Sequence, residues 1–246
     1  MRSFLAALQF LTIIPVPGRA ASSEWDMVRS MAYYPLIGLC IGLILVLANH
    51  LFAILLPHTV VAILLIIILV LITGALHLDG FSDTLDGLGS GKSREEVLRI
   101  MRDSHAGAFG VVGVTCLLIL KFTLVAEIPE ETLDRSLLLM TVLGRWCMVQ
   151  ASYRSAYARL EGGLAKRVVE RMGKREYLIS TILALVLAAS LLGLRGVFIL
   201  GVNGLLGYSV RKYFHRRLGG ITGDVLGATN EASEVISLFG IMVFSG

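Results

Sequence analysis

Apolar runs of membrane-crossing length recur along this chain, and they leave it few folds to choose from. They cover roughly residues 33–56, 59–76, 109–126, 136–152, 178–194 and 196–210, with a shorter one at about 233–246. A helix needs about 20 such residues to cross the hydrocarbon core. Hydrophobic residues make up 56% of the 246 and charged ones only 16%, with a mean hydropathy of +0.79, which excludes a soluble globular domain of this size. The expectation is an all-α, multi-pass integral membrane protein of about six to seven transmembrane helices. No linker rich in Pro, Gly or Ser divides it, so residues 1–246 read as one helical membrane domain.

The breaks between runs alternate in charge. Residues 1–30, 77–107, 153–177 and 211–232 hold 18 of the 22 Lys and Arg residues, whereas the intervening breaks, at Pro57-His58, Glu127 to Arg135 and Arg195, are nearly bare of them. Lys and Arg stay on the cytoplasmic side. The N-terminus and the first, second and fourth of these basic segments are therefore expected in the cytosol as an interfacial segment, a catalytic loop with a short helix, and a Gly-rich loop. The net charge of +4 follows from the same loops, so topology, not nucleic acid, accounts for it. The start, Met1-Arg2 followed by apolar residues from Phe4 to Ile14, resembles a secretory signal, but Gln9 interrupts it and Pro15-Val16-Pro17 closes it, which favours an interfacial helix. Cys40, Cys116 and Cys147 lie inside apolar runs without disulfide or metal-knuckle spacing, and read as small buried hydrophobes.

The second run ends in the block His77 to Gly87, which carries Asp79, Asp83 and Asp86. On a helix these three fall within a stripe about 60° wide. Three like charges so close repel unless a cation lies among them, and oxygen-only ligands favour Mg²⁺, or Mn²⁺ in its place, over zinc. Ser93-Arg94-Glu95-Glu96 has the form of a capping box and opens a short amphipathic helix. Beyond it, Asp103 returns a fourth carboxylate to the mouth of the third run. His77 is a candidate base or ligand-orienting residue, against the plainer reading of a satisfied interfacial histidine.

Gly89-Ser90-Gly91-Lys92-Ser93 suggests a phosphate-binding loop, but the glycine that such a loop needs five residues earlier is Asp86. Lys92 remains a phosphate contact from a flexible loop. A second polar cluster runs from Gly219 to Glu234, with Thr222, Asp224 and Glu231. Its acids, seven apart on one helical face, could meet a ribose, a second cation or an attacking hydroxyl; a glycine-rich turn capping the last helix is the alternative. Lys121 and Arg145 lie within runs, where a charge needs a phosphate or carboxylate partner. Arg154 and Arg159, nearest the membrane in the basic loop, are placed to reach a polyanion, and the many glycines read as helix-packing positions.

Together these blocks resemble the cobalamin synthases, also called adenosylcobinamide-GDP ribazoletransferases. The likeness runs almost end to end, through Phe10 to Pro17, Tyr34 to Gly38, His77 to Gly87, Ile100 to Gly107, Gly144-Arg145-Trp146, Tyr157-Ala158-Arg159, and Gly219 to Asp224 with Glu231. Ser82 departs from the family's alanine, and His105 stands at a variable position. The resemblance implies a Mg²⁺-dependent enzyme of the bacterial or archaeal cytoplasmic membrane, with its site facing the cytosol. It would join adenosylcobinamide-GDP to α-ribazole, or its 5′-phosphate, and release GMP. Asp79, Asp83, Asp86 and Asp103 would hold the metal, and one carboxylate or His77 would take the hydroxyl proton. Lys92, Arg102, Ser104, Arg145, Arg159, Thr222, Asp224 and Glu231 would bind substrate. The lipid bilayer is the expected partner, a homo-oligomer is compatible, and nucleic acid is not expected. Two alternatives fit less well. A CDP-alcohol phosphotransferase would carry Asp-Gly-x-x-Ala-Arg, where this chain has Asp79-Gly80-Phe81-Ser82-Asp83-Thr84. A cation transporter would place its acids near mid-membrane.

Overall fold

The computed structural model describes residues 2–16, 24–159 and 164–245; Pro17 of the N-terminal block and Gly246 lie outside them. Those residues form α1 (Arg2–Leu11), α2 (Glu24–Ser30), α3 (Tyr34–Ala53), α4 (His58–Thr73), α5 (Leu76–Gly89), α6 (Arg94–Ile100), α7 (Ala108–Glu127), α8 (Glu130–Ser152), α9 (Leu164–Arg171), α10 (Lys174–Leu218) and α11 (Gly223–Ser245). A single 3₁₀ turn joins α2 to α3. No strand occurs among the described residues, so the all-α expectation holds.

Leucine and isoleucine stripes face outward. Leu43, Leu47 and Leu51 on α3, and Ile63, Ile67 and Leu71 on α4, recur at helical spacing and are exposed, as are Val111, Val112 and Ile119 on α7 and Ile182, Val186, Phe198 and Leu205 on α10. Continuous apolar stripes on helices of spanning length are what a bilayer covers. Three helical segments, Trp25–Ala53, Ala108–Glu127 and Lys174–Leu218, are long and apolar enough to cross a membrane, four if α4 and α5 count as one bent span. Length and apolarity alone pick out three or four, against the six or seven expected from the sequence.

The difference has two physical sources. The first is α8, which is buried on nearly every face from Ser136 to Val149 and packs against α3, α10 and α11. Shielded from lipid by protein, it tolerates the polar residues that lower its hydropathy. The second is α10, which contains a reversal. Gly193 has φ 58°, ψ −137°, and a Cβ on Gly196 would lie 2.1 Å from the Ala188 carbonyl oxygen. Eight residues apart in a straight helix would be about 12 Å, so α10 is a helical hairpin. The turn expected at Arg195 is this one.

The centre of the bundle is ionic. Lys121 of α7 donates to Glu231 at 2.5 Å and to Glu234, both on α11, while Arg145 of α8 donates to Glu234. Asn230 donates to both carboxylates. Two cations and two anions cancel, which a low-dielectric interior requires. Lys121 and Arg145 thus find the carboxylate partners expected for intramembrane charges.

Close helix contact rests on glycine where α3 crosses α8. A Cβ on Gly38 would meet the Thr141 carbonyl oxygen at 2.3 Å, and one on Gly42 the Leu138 Cα at 2.9 Å. Gly38→Val should therefore lower stability by at least the roughly 1–3 kcal/mol of ordinary overpacking, read as a lower melting temperature in detergent. Gly201→Val, at a position with no neighbour within 4 Å, should leave the melting temperature close to that of the unaltered protein.

Candidate functional site

The site is assembled on α5. Gly74 (φ 60°) and Ala75 (φ 57°) both adopt the left-handed conformation, which ends α4 and turns α5 by 89°. Alanine is strained there by about 1–2 kcal/mol, so tertiary contacts must hold the bend. They come from α11 and α7. Gly80 lies so close to α11 that a Cβ would be 2.8 Å from the Asp224 Cα, and Gly227 returns the contact against the His77 backbone. The far end of α5 is tied by Asp86, whose carboxylate accepts from the Gly107 and Gly110 N–H groups at 2.8 Å each. A carboxylate at a helix N-terminus satisfies orphan donors and meets the positive end of the dipole. Side chains at 107 and 110 would collide with it.

Asp86 is therefore an anchor for α7, a role its spacing alone did not reveal. Asp79 and Asp83, one turn apart, instead face a cavity of about 310 Å³ shared with Ser82, Arg102, Asp103 and Ser104. Burial pushes the Asp83 carboxyl up to about 7, helped by the negative charges of Asp79, Asp224 and Asp86 and opposed by Arg159. Asp224, at the head of α11, is also raised by burial, with Arg159 and Thr222 lowering it. Arg159 donates to Asp224 at 2.6 Å and to the Met101 carbonyl at 3.1 Å. Thr222 accepts from the Val225 N–H at 3.2 Å and donates to Asp224 at 3.3 Å, so it caps α11. Asp103 is exposed on the same cavity, accepting from the backbone and ring nitrogens of His105 at 3.0 and 2.7 Å.

Among the described residues, no three His, Cys, Asp or Glu side chains are grouped tightly enough to cage a metal. The fourfold carboxylate cluster expected from the sequence thus separates into a pair, Asp79 and Asp83, an anchor, Asp86, and a rim acid, Asp103. The cause is α7, whose N-terminal amides claim Asp86.

Two further cavities flank this one. The larger, about 400 Å³, is lined by Arg94, Arg99, Arg102 and Arg159, with Glu95, Leu98 and Ala158. Arg102 borders both it and the carboxylate cavity. Nothing in the spacing of Arg94 and Arg99 along α6 points to this cavity. Ser93 does cap that helix, accepting from the Glu96 N–H at 3.5 Å, but the Glu96 side chain turns to Arg99 instead of closing the box. The third cavity, about 210 Å³, is mostly apolar and is bordered by His77, Asp79 and Asp224.

His77 is buried, borders the apolar cavity and not the carboxylate one, and has no partner for either ring nitrogen. Arg145 and Glu231 lie in the ionic centre of the bundle, where the adjoining space is only about 10 Å³. That is too small for substrate, and both are committed to ion pairs. Lys92 is exposed, 3.7 Å from Glu96, and borders none of the three cavities.

A family model described as cobalamin-5-phosphate synthase matches residues 3–242. A relative from Geotalea daltonii, described as adenosylcobinamide-GDP ribazoletransferase, is 38% identical over 246 residues, covering 100% of this chain and 99% of its own. Relatives of the same description from Acetivibrio thermocellus and Alkaliphilus oremlandii are 35% identical over 244 residues and 39% over 237, covering 99% and 96% of this chain and 98% and 95% of their own. No solved structure matches the chain.

The raised Asp83 carboxyl has a measurable consequence. The folded state holds a proton there between the ordinary 3.8 and about 7, where the unfolded chain has released it. Asp83 therefore makes stability fall as pH rises through that window. In chelator, the melting temperature of the unaltered protein should fall relative to that of Asp83→Asn between about pH 4 and about pH 7. Parallel curves would show that Asp83 titrates normally.

Proposed function

The chain belongs to the cobalamin-5-phosphate synthase family, and on that premise we propose that it joins adenosylcobinamide-GDP to α-ribazole, or its 5′-phosphate, with release of GMP at the Asp79/Asp83 cavity. The observation that carries this reading is the pairing of a carboxylate cavity with an arginine cavity across the shared Arg102. A diphosphate needs both: acids to hold a cation against it, and guanidinium groups for the oxygens left over.

Mg²⁺ fits the residues present. Asp83 is partly buried and lies near the negative charges of Asp79, Asp224 and Asp86, only in part offset by Arg159, a condition a bound cation relieves, and Mg²⁺ is commonly held by one or two carboxylates, with substrate phosphates and water completing its shell. Asp79 and Asp83 would be its protein ligands, with Asp103 across the cavity. When bound, it would neutralise charge on the diphosphate.

The protein's own groups do the rest. A ribose hydroxyl attacks the phosphorus attached to the cobinamide; the new P–O bond forms as the bond to GMP breaks. Asp224 takes the hydroxyl proton, since burial raises its proton affinity and it lies beside Asp79. Arg102 and Arg159 face the arginine cavity and stabilise the charge that GMP carries away. The concentration of Lys and Arg in alternate loops supports a cytoplasmic membrane with this cavity open to the cytosol.

Purified protein in liposomes, supplied with adenosylcobinamide-GDP, α-ribazole and Mg²⁺, should release GMP in step with product, and chelation should stop it. Asp83→Asn should lower kcat by at least about a hundredfold while the protein still inserts and elutes as a single species. Absence of GMP release would overturn the assignment; full activity in Asp83→Asn would remove Asp83 from the metal site.

A further inference from the structure

The apolar cavity of about 210 Å³ is not used by the phosphate chemistry, yet Asp79 lines both it and the carboxylate cavity. Resting on the ribazoletransferase reading above, we propose that this cavity seats the aromatic base of the nucleoside acceptor and delivers its ribose to Asp79 and Asp224.

Size is the first argument. Sites for drug-sized ligands run to roughly 300–1,000 Å³. At about 210 Å³ this cavity suits a flat bicyclic ring and excludes the corrin macrocycle. Polarity is the second. The wall is built by Phe10, Met31, Tyr34, Met148, Val168 and Leu226, drawn from α1, the turn after α2, α3, α8, α9 and α11. The acids are Asp79 and Asp224, both also tied to the reacting centre. A base buried here with its sugar toward those acids presents the ribose hydroxyls where the diphosphate is attacked. This is the orientation that an attacking nucleoside needs.

Chemistry separates the two bases in the reaction. Guanine, in the donor, carries polar groups around its edge, and each one left unpaired in an apolar wall costs about 1–3 kcal/mol. The dimethylbenzimidazole of α-ribazole presents methyl groups and a single free ring nitrogen. His77 lines the cavity, is 1% exposed and has no partner at Nδ1 or Nε2. An imidazole N–H can donate to that one nitrogen. The otherwise unexplained burial of an unpaired histidine is accounted for by a ligand that brings the missing acceptor.

The test fills the cavity from its edge. Ala165 on α9 lines it and is half-buried, so Ala165→Phe adds a ring to the space with little disturbance of the bundle. The KM for α-ribazole should rise at least about tenfold, while that for adenosylcobinamide-GDP changes less than about twofold. Free dimethylbenzimidazole should compete with α-ribazole, not with adenosylcobinamide-GDP, in the unaltered protein, and lose potency in Ala165→Phe. Leu205→Phe, on the lipid-facing surface, should change neither constant. Equal rises in both KM values, competition against the donor, or undiminished inhibition in Ala165→Phe would overturn the proposal. If the unaltered protein forms no product, the functional reading fails separately. Equilibrium dialysis of dimethylbenzimidazole against both proteins then decides the cavity, binding that Ala165→Phe abolishes supporting it and equal binding, or none, refuting it.

Discussion

Four charges sealed from lipid and water, Lys121, Arg145, Glu231 and Glu234, hold the architecture together. They bind α7, α8 and α11 into one unit, and breaking a buried pair of this kind by removing one member typically costs about 3–5 kcal/mol, because the survivor is left uncompensated. Their neutrality as a group lets a helix as polar as α8 occupy the centre of a membrane bundle. It also sets the rotation of α11, since Glu231 and Glu234 must face inward. That rotation puts Asp224, two turns earlier, beside α5.

The site inherits this order. Helix α5 is short and departs from α4 through a strained alanine, so it cannot place its acids unaided. Gly80 and Gly227 seat it on α11, and Asp86 fastens its end to the amides of α7. The result is a row of three cavities with different chemistry, cationic, acidic and apolar, joined by Arg102 on one side and Asp79 on the other. A reaction that joins a charged diphosphate to a nucleoside with an apolar base divides along the same line.

Much of this was readable from local sequence because it depends on local chemistry. The helical class, the Ser93 cap, the reversal near Arg195 and the need for partners at Lys121 and Arg145 follow from periodicity, capping rules and the cost of charge in lipid. Asp79 and Asp83 were legible as a pair because one helical turn separates them. The anchoring of α7 by Asp86 is not legible in the same spacing, because spacing carries no information about which amides a neighbouring helix will present. The ion pairs of Arg145 and Glu231 are likewise beyond local sequence: a residue that needs an opposite charge does not say whether protein or ligand supplies it. The arginine cavity is not legible in local sequence, because Arg94 and Arg99 become neighbours of Arg159 only when α6 packs against the chain that follows α8.

The sequence by itself determined the solvent and the elements: apolar runs can be satisfied only in lipid, and backbone in lipid is satisfied as helix. It also determined the chemical character of the reacting end, since clustered acids beside basic loops suit phosphate and a divalent cation. Tertiary structure alone decided which carboxylates stay available, which charges neutralise one another in the interior, and where an apolar cavity opens beside the reactive acids. Those outcomes depend on long-range contacts between α5, α7, α8 and α11, whose partners lie as far apart as Lys121 and Glu234, 113 residues, or His77 and Gly227, 150 residues, distances over which spacing rules have no reach.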